Sequence, residues 1–118
     1  MAHLINIHDS GHVIDFEIGK YKIDILGGWG VKLRQFSISF RHGESGEIIN
    51  CKRSFWPVQT LVFDRRAKRV FSVEIMERGA YTVEFANAET LQVKETNLFF
   101  SGLFQVPIPC EKITIFIH

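Results

Sequence analysis

Apolar and polar residues alternate along most of this chain. In residues 12–26, HVIDFEIGKYKIDIL, the apolar set Ile14, Phe16 and Ile18 alternates with Asp15 and Glu17, and Tyr21, Ile23 and Ile25 alternate with Lys22 and Asp24. A period of two puts successive side chains on opposite faces of a β-strand. Between the two runs sit Gly19 and Lys20, a composition suited to a two-residue hairpin loop with Gly at positive φ. Closing the hairpin there pairs Ile18 with Tyr21, Phe16 with Ile23 and Ile14 with Ile25. It gathers the apolar residues on one face and sets Asp15 directly across from Asp24.

The alternation continues downstream. A three-residue loop at Arg66, Ala67 and Lys68 pairs Phe63 with Phe71 and Leu61 with Val73. Another at Arg78, Gly79 and Ala80 pairs Ile75 with Val83 and Val73 with Phe85, and a third at Asn87, Ala88 and Glu89 pairs Phe85 with Leu91 and Val83 with Val93. A slip of one residue in any of these registers turns its apolar face to water. The expectation is a four-stranded antiparallel meander with a core of Phe16, Ile23, Phe63, Phe71, Val73, Ile75, Val83, Phe85, Leu91 and Val93.

Elsewhere Val31 and Leu33 change phase to Phe36, Ile38 and Phe40, which predicts a β-bulge near Arg34 and Gln35. In ITIFIH, residues 113–118, three isoleucines share one face and Phe116 takes the other, the pattern of a covered central strand. HLINIH and EIINC add further strands. A helix competes only over PVQTLVFDRRAKR, where Phe63 and Phe71 find partners only as strand residues. No internal repeat is evident. The fold class that follows is all-β: an antiparallel β-sandwich, or partly closed barrel, of about nine or ten short strands including the C-terminal meander.

Composition narrows the function without naming it. The chain has 118 residues, 46% apolar and 23% charged, with a net charge of +1, the make-up of an ordinary globular domain. Residues 1–118 are expected to form a single domain. No segment approaches the roughly 20 apolar residues of a membrane-spanning helix, and the amino-terminal stretch lacks the pattern of a secretion signal. A cytoplasmic protein without membrane contact is the expectation. Cys51 and Cys110 stand 59 positions apart with no C-x-x-C pair, and read as buried free thiols.

Residues 64–69, DRRAKR, are the strongest local departure from this even composition. They carry a net +3, which leaves −2 for everything else. Placed on a hairpin tip, Arg65, Arg66, Lys68 and Arg69 are candidates to grip an acidic partner, with Lys52 and Arg53 able to extend the patch. Near-neutral overall charge and the lack of a recognition helix or an RNP-type aromatic strand argue against nucleic acid.

Other candidates are sparser. Trp29 in LGGWGV and Trp56 in SFWPV could stack on a sugar ring, or fold back as plugs over the ends of the sandwich. His8, Asp9 and His12 in HDSGH, with His3 nearby, have metal-ligand side chains but no motif spacing, and Asp-Ser-Gly also reads as a plain turn. Asp15 and Asp24, once opposed, could serve acid–base chemistry. Leu98, Phe99, Phe100, Leu103 and Phe104 exceed what one face of a short strand buries, so they form either a core plug or a surface for homo-oligomer formation. No phosphate loop, nucleophile elbow or zinc-protease motif occurs, and no cofactor is expected. The sequence thus points to a non-enzymatic binding or protein-interaction module. The alternatives are a carbohydrate-binding sandwich using Trp29 and Trp56 and a small enzyme using Asp15, Asp24, His8 and His12.

Overall fold

The computed structural model describes residues 3–7, 10–27, 30–54, 59–62, 65–94 and 113–118. They form an all-β sandwich built from two antiparallel sheets packed face to face, with a small third ladder. The large sheet runs in the order β1 (His3–Asn6), β12 (Thr114–Ile117), β3 (Gly19–Leu26), β9 (Arg65–Ile75) and β7 (Lys52–Arg53), and β8 (Gln59–Val62) shares the outer edge of β9 with β7. The second sheet runs β2 (Val13–Phe16), β10 (Gly79–Ala86), β5 (Ser37–His42) and β6 (Ile48–Asn50). The ladder pairs β4 (Gly30–Lys32) with β11 (Gln92–Lys94).

Sequence neighbours rarely pair. Among the described strands only β5 with β6 and β8 with β9 form ladders with their successors. The hairpin expected at Gly19 and Lys20 is instead a crossing between sheets: β2 pairs with β10, and β3 pairs with β9 and β12. Ile18, expected on the buried face, is 67% exposed at that crossing. The loop expected at Arg78–Ala80 is a second crossing, since Ile75 lies opposite Gly19 while Gly79 lies opposite Phe16. At Asn87, in left-handed conformation with φ 57°, the chain enters a short 3₁₀ turn and leaves for the ladder, so Phe85 pairs with Ile38 and not with Leu91. The four-stranded meander is therefore absent. Phe71, Val73, Ile75, Val83, Leu91 and Val93 are buried as expected, but from different sheets, whereas Leu61 is 61% exposed and Phe63 lies outside the described residues.

The same logic corrects the bulge near Arg34. Arg34 has φ 51°, and the Phe36 amide donates to the Leu33 carbonyl at 2.9 Å, which makes a turn between β4 and β5. The phase change in the sequence marks a break between strands. A real bulge lies in β9, where the register against β3 shifts between Ile23 and Asp24.

The core closes between the two large layers. Phe16 of β2 meets Tyr21 of β3 with ring centroids 4.7 Å apart, and packs on Phe40 at 5.1 Å and Tyr81 at 5.7 Å, all edge-on, the arrangement that ring quadrupoles favour. Phe36 meets Phe71 at 5.9 Å across the layers. The expected central strand is correct: β12 lies between β1 and β3, with Ile113, Ile115 and Ile117 fully buried. No helix among the described residues is long and apolar enough to cross a membrane.

Candidate functional site

Residues 65–69 of the basic segment lie in strand β9 and not in a three-residue loop at 66–68. In the β8–β9 ladder Val62 pairs with Arg65, Leu61 with Arg66, Thr60 with Ala67 and Gln59 with Lys68, so the connection falls at residues 63–64. Those two lie outside the described residues, as does the Arg65 side chain. Alternation explains the difference, because Ala67 is small and fully buried while Arg66, Lys68 and Arg69 are only half-buried. Phe71 pairs with Ile23 on one side and Arg53 on the other, so the register against Phe63 does not form.

Arg69 has a structural partner. It lies opposite Asp24 across the β3–β9 ladder, with its Nε 3.4 Å from Asp24 Oδ1. His118 donates from Nε2 to Asp24 Oδ2 at 2.9 Å. Asp24 is 1% exposed although it sits on the face of β3 opposite Ile23 and Ile25. Phe116 stacks on the His118 ring at 4.7 Å beside it. A buried carboxylate is tolerated only when matched in this way. Asp24 and Asp15 are not opposed: Asp15 lies across from Ala80 in the other sheet. The paired carboxylates required by the enzyme reading do not occur, and Asp24 serves a His–Asp–Arg cluster that links three strands. Ser72 does not complete a nucleophilic triad with it, because Lys22 separates Ser72 from His118 in the sheet.

Around this cluster the outer face of the large sheet is cationic. Lys22 exchanges both main-chain hydrogen bonds with His118, at 2.8 and 2.9 Å, and lies opposite Ser72, which in turn lies opposite Lys52 of β7. Lys22, Ser72 and Lys52 are exposed and share one face of the sheet. Lys20 stands opposite Glu74 at the next position along the same face. The exposed Arg53 hydrogen-bonds the Arg34 carbonyl from the neighbouring turn. The sequence pattern missed this face because its residues come from strands about 20 to 50 positions apart.

Other polar groups in the interior act on the fold. His42 is 2% exposed, and its Nδ1 accepts from the amides of Glu44 and Ser45 at 3.2 and 3.1 Å, holding the β5–β6 turn. The Cys51 thiol is free, and burial pushes its pKa up to about 12, so it stays protonated and unreactive at neutral pH. Burial lowers the pKa of His3 below its ordinary value. The HDSGH segment is laced to β10: the Gly11 amide donates to the Val83 carbonyl at 2.7 Å, and the Phe85 amide donates to Ser10 Oγ at 3.2 Å. Among the described residues no three His, Cys, Asp or Glu side chains are grouped to hold a metal ion. Trp29, Trp56, His8, Asp9, Cys110, Leu98, Phe99, Phe100, Leu103 and Phe104 lie outside the described residues, and with them the sugar-stacking and self-association expectations.

Comparison of the chain with protein-family models, with curated proteins and with solved structures finds no match.

Proposed function

We propose that this domain is a non-enzymatic interaction module that holds an acidic protein partner against the basic side of its large sheet. The observation that carries the reading is the distribution of cations about β9. Exposed Lys20 and Lys22 of β3 and exposed Lys52 of β7 flank β9 on its outer face, whereas Arg53, opposite Phe71, and Lys68, opposite Ile25, belong by register to the other face. The acid buried among them, Asp24, is already matched by Arg69 and His118. A near-neutral chain that sets several exposed lysines on one sheet face attracts an acidic surface locally and steers its approach.

The contact is electrostatic and so depends on salt, because exposed charges act over about 8 Å at physiological ionic strength. Titration with polyglutamate at low and at physiological salt tests it. Binding should weaken as salt rises and should be lost in the double variant Lys22→Glu, Lys52→Glu, with the melting temperature retained. Salt-independent binding, or equal binding by the charge-reversed variant, rejects the proposal.

A further inference from the structure

Three hydrogen-bond donors stand abreast on the outer face of the large sheet. In the β3–β9 ladder Lys22 lies directly opposite Ser72, and in the β7–β9 ladder Lys52 lies directly opposite the same serine. Opposed residues share a face with their Cβ atoms about 5 Å apart, so the two lysine stems rise roughly 10 Å apart with a hydroxyl midway between them. All three side chains are exposed. None of these side chains takes part in an ion pair or hydrogen bond among the described residues.

The nearest acids flank the row on its two sides. Asp24, two residues beyond Lys22 on β3, is held by Arg69 and His118, and Glu74, two residues beyond Ser72 on β9, faces Lys20 directly. The row has two lysines and one serine without a side-chain partner among the described residues, held in register by three adjacent strands, β3, β9 and the edge strand β7.

We propose that Lys22, Ser72 and Lys52 form a binding site for the phosphoryl group of a phosphate monoester. A tetrahedral dianion offers three terminal oxygens, one for the Ser72 hydroxyl and one for each ammonium. A carboxylate offers two oxygens in one plane and leaves a donor of the row unused. Lysine binds phosphate as a point charge, and its flexible four-carbon stem lets both ammonium groups lean in over the serine. The site rests on the reading of this sheet as a contact face for an acidic partner and narrows it: the partner is recognised through a phosphorylated residue. A small free phosphate monoester shares the chemistry, and the experiment separates the two sources.

Isotope-labelled protein at physiological salt is titrated with inorganic phosphate, with phenyl phosphate, and with two short acidic peptides identical except for one phosphoserine, and its amide resonances are followed. The expected result is saturable shifts centred on Ser72, Lys22 and Lys52, with the phosphopeptide binding roughly tenfold or more tightly than its unmodified twin. Ser72→Ala and the pair Lys22→Gln, Lys52→Gln should lose that advantage, while Lys20→Gln keeps it. Saturation by phenyl phosphate with neither peptide bound supports the site, assigns it to a small monoester and rejects the acidic-partner reading. Equal binding of the two peptides overturns the phosphate site and leaves the acidic-partner reading standing. Absence of saturable shifts at Ser72 with every probe, or Ser72→Ala binding like the parent, also overturns the site.

Discussion

The Tyr81 hydroxyl donates to the main-chain carbonyl of Glu77, four residues earlier, at the point where the chain leaves the large sheet for the second one. Tyr21 makes the same bond to Glu17 at 3.0 Å, where the chain crosses in the other direction. The two crossings share a local pattern, Glu17-Ile18-Gly19-Lys20-Tyr21 and Glu77-Arg78-Gly79-Ala80-Tyr81. Each Tyr projects its ring into the interior and uses its hydroxyl to tie down the preceding corner. Replacing Tyr81 by Phe keeps the ring and removes that tie, at an expected cost of about 0.5–1.5 kcal/mol. Tyr21→Phe should cost less, because Tyr21 is half-buried and Tyr81 is 1% exposed. Urea denaturation of the two variants measures the difference, and an equal or reversed order contradicts the assignment.

The Tyr81 clamp also carries a pH dependence. Burial, reinforced by the charges of Glu77 and Glu47, raises the phenol above its ordinary value of 10.0. The folded state thus keeps a proton that the unfolded chain releases, so the contribution is complete below about pH 10 and is lost as pH rises above it. Denaturation midpoints between about pH 9 and 11 should fall more steeply for the parent than for Tyr81→Phe. Parallel curves would show that the phenol does not contribute.

Gly19 and Gly79 hold the same place in the two corners but differ in their surroundings. A Cβ on Gly79 would lie 2.7 Å from His42 Nε2, whereas one on Gly19 meets nothing within 4 Å. The His42 ring is held by two main-chain amides and stacks edge-on against Tyr81 at 4.9 Å, so it has little room to yield. Gly79→Ala should cost about 1–3 kcal/mol, and Gly19→Ala clearly less. Calorimetric melting of the two single variants gives the comparison directly.

The cations of residues 64–69 should divide by role. Arg69 matches a buried carboxylate, so Arg69→Gln should destabilise the domain by about 1–3 kcal/mol. Lys68 has no ion pair among the described residues, and Lys68→Gln should leave stability within about 0.5 kcal/mol of the parent. A thermal melt in which both variants match the parent would show that the Asp24 cluster does not hold the strands together.

Alternation states which side of a strand is buried, and the faces it assigns are correct at most positions, Ile18 and Leu61 being the exceptions at 67% and 61% exposed. Phe16, Ile23, Phe71, Val73, Ile75, Val83, Leu91 and Val93 are all buried, and Phe85 is packed against the core while partly exposed. Phe63 lies outside the described residues. What alternation cannot state is the sheet to which a strand belongs. In a sandwich the inner faces of both layers have the same apolar pattern, so a glycine-containing break between two alternating runs fits a hairpin and a crossing equally well. The hydrogen-bond partners of β2, β3, β9 and β10 depend on that choice, and the registers expected across Gly19 and Gly79 fail with it, whereas β8 and β9 do form a hairpin, with its loop nearer the start of the basic segment. Asp24 stands out in the sequence for an opposing carboxylate. Its actual neighbours, Arg69 and His118, come from strands whose adjacency to β3 only the assembled sheet establishes.

The placement of β12 between β1 and β3 has a consequence for how the chain acquires its structure. The two strands that flank it have no direct ladder to one another and remain unjoined until residues 114–117 arrive. The large sheet cannot grow outward from an early local nucleus by adding each strand as it follows in sequence. Its centre closes through contacts about 90 to 110 residues apart along the chain, a topology that slows folding and prolongs exposure of open strand edges. During synthesis β1 and β3 must therefore wait with their edges unpaired, and the interval before closure is when this domain is most open to aggregation or to capture by a chaperone.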